Sequence, residues 1–378
     1  MKDVFELVEQ ALESGGSEAA FDVVLKKLRS EKNYPLLFEA RLMQKRNELG
    51  LPLIQVESTP DLPERTQSAY QQATVDAARE VGSLFLADGH IPSAWPYFRA
   101  IGESGPVAQA IGRIEPQEGI DAIIEIAFYE GANPSKGFEL ILANYGICRA
   151  ITTYGQYPGT EGRDDCAHLL LSTLHGELLG TLKRVVGDQE GSAPETNSIS
   201  ELITGRDWLF EGNGYYIDSS HVASVVQLSL ELEDPEVLKL ALDLADYGKC
   251  LSSLFQYKGD PPFQNIYQDH AVYLRALLGE DEDGAVEHFR NKVEESLADG
   301  GESVPAQVLV GLLTRLDRYP EAIEVSSKYL TDIAPGELVC PSLPQLCQKA
   351  GAYKKLGILS RQQGDLLSYT AAALQSKR

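Results

Sequence analysis

The stretch GNGYYIDSSHVASVV at positions 212–226 sets two tyrosines, an aspartate, two serines and a histidine directly ahead of an apolar run. Its surroundings carry the same chemistry. Four of the six histidines (His168, His175, His221 and His270) and nine of the seventeen tyrosines fall between positions 145 and 273. If helices gather them, Asp218, His221, His270 and one of His168 or His175 form a mixed histidine–carboxylate shell for a divalent metal. Hydrolysis or oxygen chemistry suits such a centre, with Tyr267 and His221 as candidate proton-transfer groups. Spacing restricts the set. His168 and His175 are seven residues apart, about 10 Å along a helix axis, whereas a helical pair that clamps one metal is four apart, about 6 Å. Asp218 and His221 are three apart, as are Tyr267 and His270, so each pair can share a helix face.

Each of these residues also has a structural role open to it. Asp218 stands where an N-cap belongs, ahead of SSHVASVVQLSLEL. His270 lies with Tyr267, Ala271 and Leu274 on an apolar helix face, where a core histidine hydrogen-bonded to its neighbours is the common outcome. The tyrosines suit gaps between helices, with their hydroxyls at the edge. His90 falls in a turn and is expected to be exposed. The chain contains no GxxxxGK[ST], GxSxG or HExxH motif, no strand-borne GxGxxG and no EF-hand loop. GEDEDG at 279–284 has the wrong spacing for calcium and reads as a helix start, with acids at the positive end of the dipole.

The elements that must position these groups are helices. Apolar residues recur at helical spacing over 3–14 (Val4, Leu7, Val8, Ala11, Leu12) and 164–186. The same period runs through 219–232, 264–278, 305–316, 320–330 and 350–363. Asn133-Pro134 and Asp234-Pro235 pair a capping residue with a proline at the first helical position. The reading is an all-α chain of antiparallel helix pairs. GDQEGSAPETNS at 187–198 lacks large apolar residues and reads as an exposed loop. It separates N-terminal helical repeats (1–187) from C-terminal ones (198–378) within one continuous array.

Composition narrows the function classes. With 378 residues, 43% hydrophobic, the chain can bury a large core. A net charge of −23 disfavours nucleic acid and anionic membrane surfaces as partners, since both need a basic footprint. No run of 18 apolar residues suggests a membrane span. The first residues carry acids within their apolar pattern rather than a signal-peptide core, so a cytoplasmic protein is expected. Five cysteines without a CxxC pair indicate reduced thiols rather than a disulfide framework or a cysteine zinc site.

Residues 81–106, VGSLFLADGHIPSAWPYFRAIGESGP, resemble a tetratricopeptide repeat (TPR). Val81-Gly82 fall at the Leu-Gly positions, Phe85 at the first aromatic and Gly89 at the turn. Ala94 takes the small position of the second helix, Phe98 its aromatic and Pro106 the closing proline. Ala78 stands in place of the usual tryptophan, and Ile101 in place of the last alanine. Small residues at 82 and 94 allow two helices to approach closely while aromatics fill the gap. Partial copies occur at 309–335, with Asp317 in place of the turn glycine, and at 353–374, with Tyr369 in place of the small alanine. The resemblance implies a TPR-like α-solenoid that binds a protein or peptide on a concave face. Carried over position by position, it assigns Asp76, Arg79, Ser83, Leu86 and Ala87 to that face in the first repeat, Val304, Gln307, Gly311, Thr314 and Arg315 in the second, and Gly351, Lys354, Ile358, Arg361 and Gln362 in the last. Gln307, Arg315, Lys354 and Arg361 would then suit an acidic segment or a free carboxylate. The function expected is a helical scaffold for a protein partner. The alternative is a helical metal-dependent or acid–base enzyme with its site in 145–273.

Overall fold

The computed structural model describes residues 3–54, 63–298 and 303–377; the regular elements among these are helices, with no strand assigned. They fall into two compact units, residues 1–146 with 158–163 and residues 147–157 with 164–378. In the first unit the helices are α1 (Val4–Ser30), α2 (Tyr34–Glu48), α3 (Glu64–Ala87), α4 (Ile91–Ala100), α5 (Gly105–Ile111) and α6 (Asp121–Ile124). α7 (Pro134–Gln156) bends at Gly146, whose φ of 77° no ordinary helical residue adopts, and the division between the units falls at this bend. The second unit continues with α8 (Arg163–Glu190), α9 (Ile199–Ile203), α10 (Ser219–Leu228), α11 (Pro235–Cys250), α12 (Ile266–Leu277) and α13 (Glu282–Ala298). It closes with α14 (Val304–Arg315), α15 (Tyr319–Tyr329), α16 (Leu343–Lys349), α17 (Tyr353–Gln363) and α18 (Leu366–Gln375). The segment 187–198 lies inside the second unit; α8 runs on to Glu190, and most of the remainder is exposed.

Local chemistry accounts for the helix starts. The Asn133 side chain accepts from Lys136 N at 3.2 Å and the Asp234 side chain from Glu236 N at 2.9 Å, in both cases around a proline at the first position. Within each unit, successive helices pack chiefly on their chain neighbours, from α1 on α2 to α4 on α5, and from α10 on α11 through to α17 on α18. α12 also meets α10 and α14. No helix among the described residues is long and apolar enough to cross a membrane.

Close approach between helices rests on small residues. A Cβ on Gly82 would lie 2.7 Å from the Phe98 ring, and both Ala94 and Phe98 are fully buried. The spacing read from 81–106 therefore corresponds to a tight α3–α4 contact. Gly82→Ala is expected to cost about 1–3 kcal/mol through overpacking. Denaturant titration checks this, and a Phe98→Leu background should recover part of the loss. α11 and α12 meet in the same manner, since a Cβ on Gly248 would come within 2.2 Å of the Tyr267 ring. Asp317, in place of the turn glycine, itself takes a φ of 56° and accepts a hydrogen bond from Tyr319 Oη at 2.8 Å. A short polar side chain tolerates this left-handed conformation better than most.

Candidate functional site

The histidines read as metal ligands lie on three helices, α8, α10 and α12. His168 is exposed on α8. His175, two turns later, is buried, and its Nε2 lies 2.9 Å from Asp243 Oδ2 on α11. His221 is half-buried near the start of α10. His270 is buried on α12, where Nδ1 meets Ile266 O at 2.6 Å and the ring packs on Phe263 with centroids 4.2 Å apart. Its Nε2 is buried with no hydrogen-bond partner among the described residues. Asp218 caps α10, accepting from Ser220 N at 2.8 Å; the Ser220 hydroxyl and amide hold its carboxyl below the usual range. Among the described residues, no group of three His, Cys, Asp or Glu side chains is placed to hold a metal.

Tyr154, Tyr247, Tyr267 and Tyr273 are buried among the helices, whereas Tyr145, Tyr215 and Tyr257 are exposed. Tyr267, the candidate proton donor, is buried and donates its hydroxyl to Ser219 O at 3.2 Å, and burial pushes its pKa well above the ordinary range. Tyr247 Oη accepts from Tyr216 N at 2.9 Å, and burial raises its pKa to about 12. A hydroxyl locked on a carbonyl in the core, with its ionisation suppressed, is poorly placed for proton transfer.

Asp243, which the sequence did not single out, is the centre that draws the nearby polar groups together. Besides His175 it accepts from Ser198 Oγ (2.9 Å), Ile199 N (2.7 Å) and Ser200 N (3.1 Å). Burial alone would raise its carboxyl, but the His175, Ser200 and Ile199 donors overcome this and hold it low. The residue types suggest a nucleophile triad, but the order is wrong. Serine and histidine both point at the aspartate, so the histidine is not set to take a proton from the serine hydroxyl. The cluster tethers the start of α9 to α8 and α11. A similar tie joins α12 to α13: buried Asp269 accepts from Asn265 N at 2.8 Å and lies 2.9 Å from His288 Nε2. An acid four residues ahead of Tyr247, within the buried part of α11, was the available signal for Asp243.

Two open grooves of the second unit bear on these residues. One, of about 740 Å³, lies beside the 212–226 stretch, between Arg184 and Val185 of α8 and the aromatics Tyr215, Tyr216, Phe255 and Tyr257. Tyr215 and Phe255 pack with centroids 4.8 Å apart. The other, of about 520 Å³, follows α14 and is lined by Gln307, Gly311, Thr314 and Arg315, with Tyr273 of α12 and Lys349 of α16. These are four of the five α14 residues that the repeat resemblance assigns to a concave face; the fifth, Val304, does not line the groove. Residues 339–341 form one wall, arriving in extended conformation at Leu338 (φ −79°, ψ 122°). Gln307 is buried; its Oε1 accepts from Val339 N at 2.7 Å and its Nε2 donates to Ser303 Oγ at 3.1 Å.

The cations read as a carboxylate clamp divide. Arg315 donates to the carbonyls of Leu230 (3.0 Å) and Leu232, and its guanidinium lies 6.0 Å from the Tyr273 ring centre. It closes the end of the short helix after α10. Lys354 and Arg361 are exposed on α17. Lys349, which the repeat spacing does not assign to the face, is the exposed cation at the α14 groove. Comparison with known protein families, with curated proteins and with solved structures finds no match to this chain.

Proposed function

We propose that the chain is a non-catalytic scaffold of stacked helix pairs, similar in plan to TPR arrays, that binds an extended segment of a protein partner in the groove along α14. The observation that carries this reading is the Gln307–Val339 hydrogen bond. A buried amide on the groove face already holds one extended backbone, at 2.7 Å, through a contact that any sequence can make. The groove has the size of a site for a few side chains, and the neighbouring Gly311 leaves open space above the helix. Lys349 stands at one edge of the groove with Glu233 and Asp317 also in its lining, so backbone and shape, not a single sign of charge, carry the reading. Arg315, engaged with two carbonyls, shapes the floor instead of pairing with the partner.

Gly311 provides the test. A Cβ at this position meets nothing within 4 Å. Gly311→Ala should therefore fold well, and gains up to about 1 kcal/mol from helix propensity. Gly311→Trp fills the groove. Peptides selected from a random displayed library on the wild-type chain are expected to bind the alanine variant and to lose the tryptophan variant, with both variants melting as the wild type or higher. Peptides that bind all three chains equally would refute the assignment to α14.

A further inference from the structure

Two apolar surfaces among the described residues are left uncovered, and their charges are opposite. The first is the start of α1. Before the bend at Gly16 (φ 72°) this helix is amphipathic, yet no residue from Val4 to Gly16 is buried; Phe5 is 73% exposed and Leu12 54%. The helix joins a core only later, through Leu25 with Phe21, Val24 and Leu28. Around the uncovered stripe stand Asp3, Glu6, Glu9 and Glu13, and no Lys or Arg occurs from position 3 to 25. The second surface is the pair α17–α18. Only Ala372 of α18 is buried, while Leu366, Leu367 and Leu374 are 74%, 85% and 63% exposed. On α17, Ile358 is exposed between Lys354 and Arg361, one turn to either side. Residues 343–377 carry Lys349, Lys354, Lys355, Arg361 and Lys377 against a single acid, Asp365, whose carboxylate already caps α18.

We propose that these two surfaces are partners between copies: α1 of one chain docks on α17–α18 of the next. An apolar centre with a rim of complementary charge is the usual anatomy of a specific contact. The chain supplies both halves, which singles out a second copy as the occupant. Because the two surfaces differ, the contact is heterologous. Each docked copy still offers one free surface of each kind, so the assembly extends head to tail until it closes on itself or continues. The inference is independent of the α14 groove.

Sedimentation velocity on the full chain tests it over a concentration series, at low and high salt. One variant carries Leu7→Lys and Leu12→Lys; another carries Leu367→Glu and Leu374→Glu. All four positions are exposed, and circular dichroism confirms that the variants fold. The wild type is expected to associate with rising concentration, less so at high salt. Each variant alone should associate about tenfold more weakly or worse. An equimolar mixture of the two should form a 1:1 complex and stop there, because together they retain one intact surface of each kind. Lys354→Glu with Lys355→Glu and Arg361→Glu should weaken association without touching the apolar stripe. A wild type that stays monomeric throughout overturns the proposal and leaves α17–α18 to an acidic helix of another protein. Association that survives both leucine variants, or a mixture that forms no 1:1 complex, overturns it equally.

Discussion

Replacing Asp243 with alanine is expected to destabilise the chain by about 3–5 kcal/mol, because several donors lose one shared, buried carboxylate at once. The carboxylate is buried and accepts from His175, Ser198 and the amides of Ile199 and Ser200. Truncation leaves those donors without an acceptor, and each one sealed from water costs about 1–3 kcal/mol. Ile199 is fully buried, so its amide cannot turn to solvent. The Asp243→Asn variant keeps one acceptor oxygen, so it should lose only about 1–3 kcal/mol. Urea titration followed by tryptophan fluorescence measures both, with Trp208 within the same unit as the reporter. A loss below about 1 kcal/mol for Asp243→Ala would mean that water replaces the carboxylate freely, contrary to its burial.

The second large effect is an acid-side loss of stability from His270. Burial pushes this imidazole down to about 4, and no group among the described residues pairs with its Nε2. The unfolded chain titrates near 6.5. The folded value is the lower of the two, so the unfolded state binds the proton first. Stability therefore falls as pH drops through about 6.5 and levels off near 4, a total of about 3 kcal/mol. Carboxyls held low, such as Asp243, act later. Their contribution is present above the unfolded carboxylate range and is lost only as pH falls below it. His270→Leu removes the first window. At pH 7.5 that variant should lie within about 1.5 kcal/mol of the wild type, as volume-conserving core changes do. At pH 4.5 it should be the more stable chain by roughly 2 kcal/mol. Parallel stability curves for the two chains from pH 7.5 to 4.5 would show that His270 does not titrate as its burial requires.

Periodicity in the sequence locates helices well because burial of one stripe is a local property. The spans 305–316 and 320–330 differ by a residue or so from α14 and α15, and 350–363 differs by three at its start from α17. Gly82 and Phe98 were legible as a contact because both fall in one helix pair and their sizes are complementary. The candidate site was less legible, since its decisive contacts join distant positions or involve backbone. His175 meets Asp243 across 68 residues. Arg315 finds carbonyls 83 and 85 positions away, and a carbonyl leaves no trace in residue type. Gln307 is spaced as a concave-face residue, but its partner is the Val339 amide in a connection with no periodic pattern of its own. The stripe at 3–14 was legible as amphipathic, while nothing in its sequence distinguished a stripe buried in this chain from one left open.

The central claim, that α14 presents a groove for an extended protein segment, is tested most directly by hydrogen–deuterium exchange of the full chain with and without a selected peptide. The account predicts slower exchange over Gly311 to Arg315 and a change at the Val339 amide, whose hydrogen bond to Gln307 lies at the groove wall. It predicts none of this in the Gly311→Trp variant. Protection confined to other helices, with α14 and Val339 exchanging as in the free chain, would contradict it.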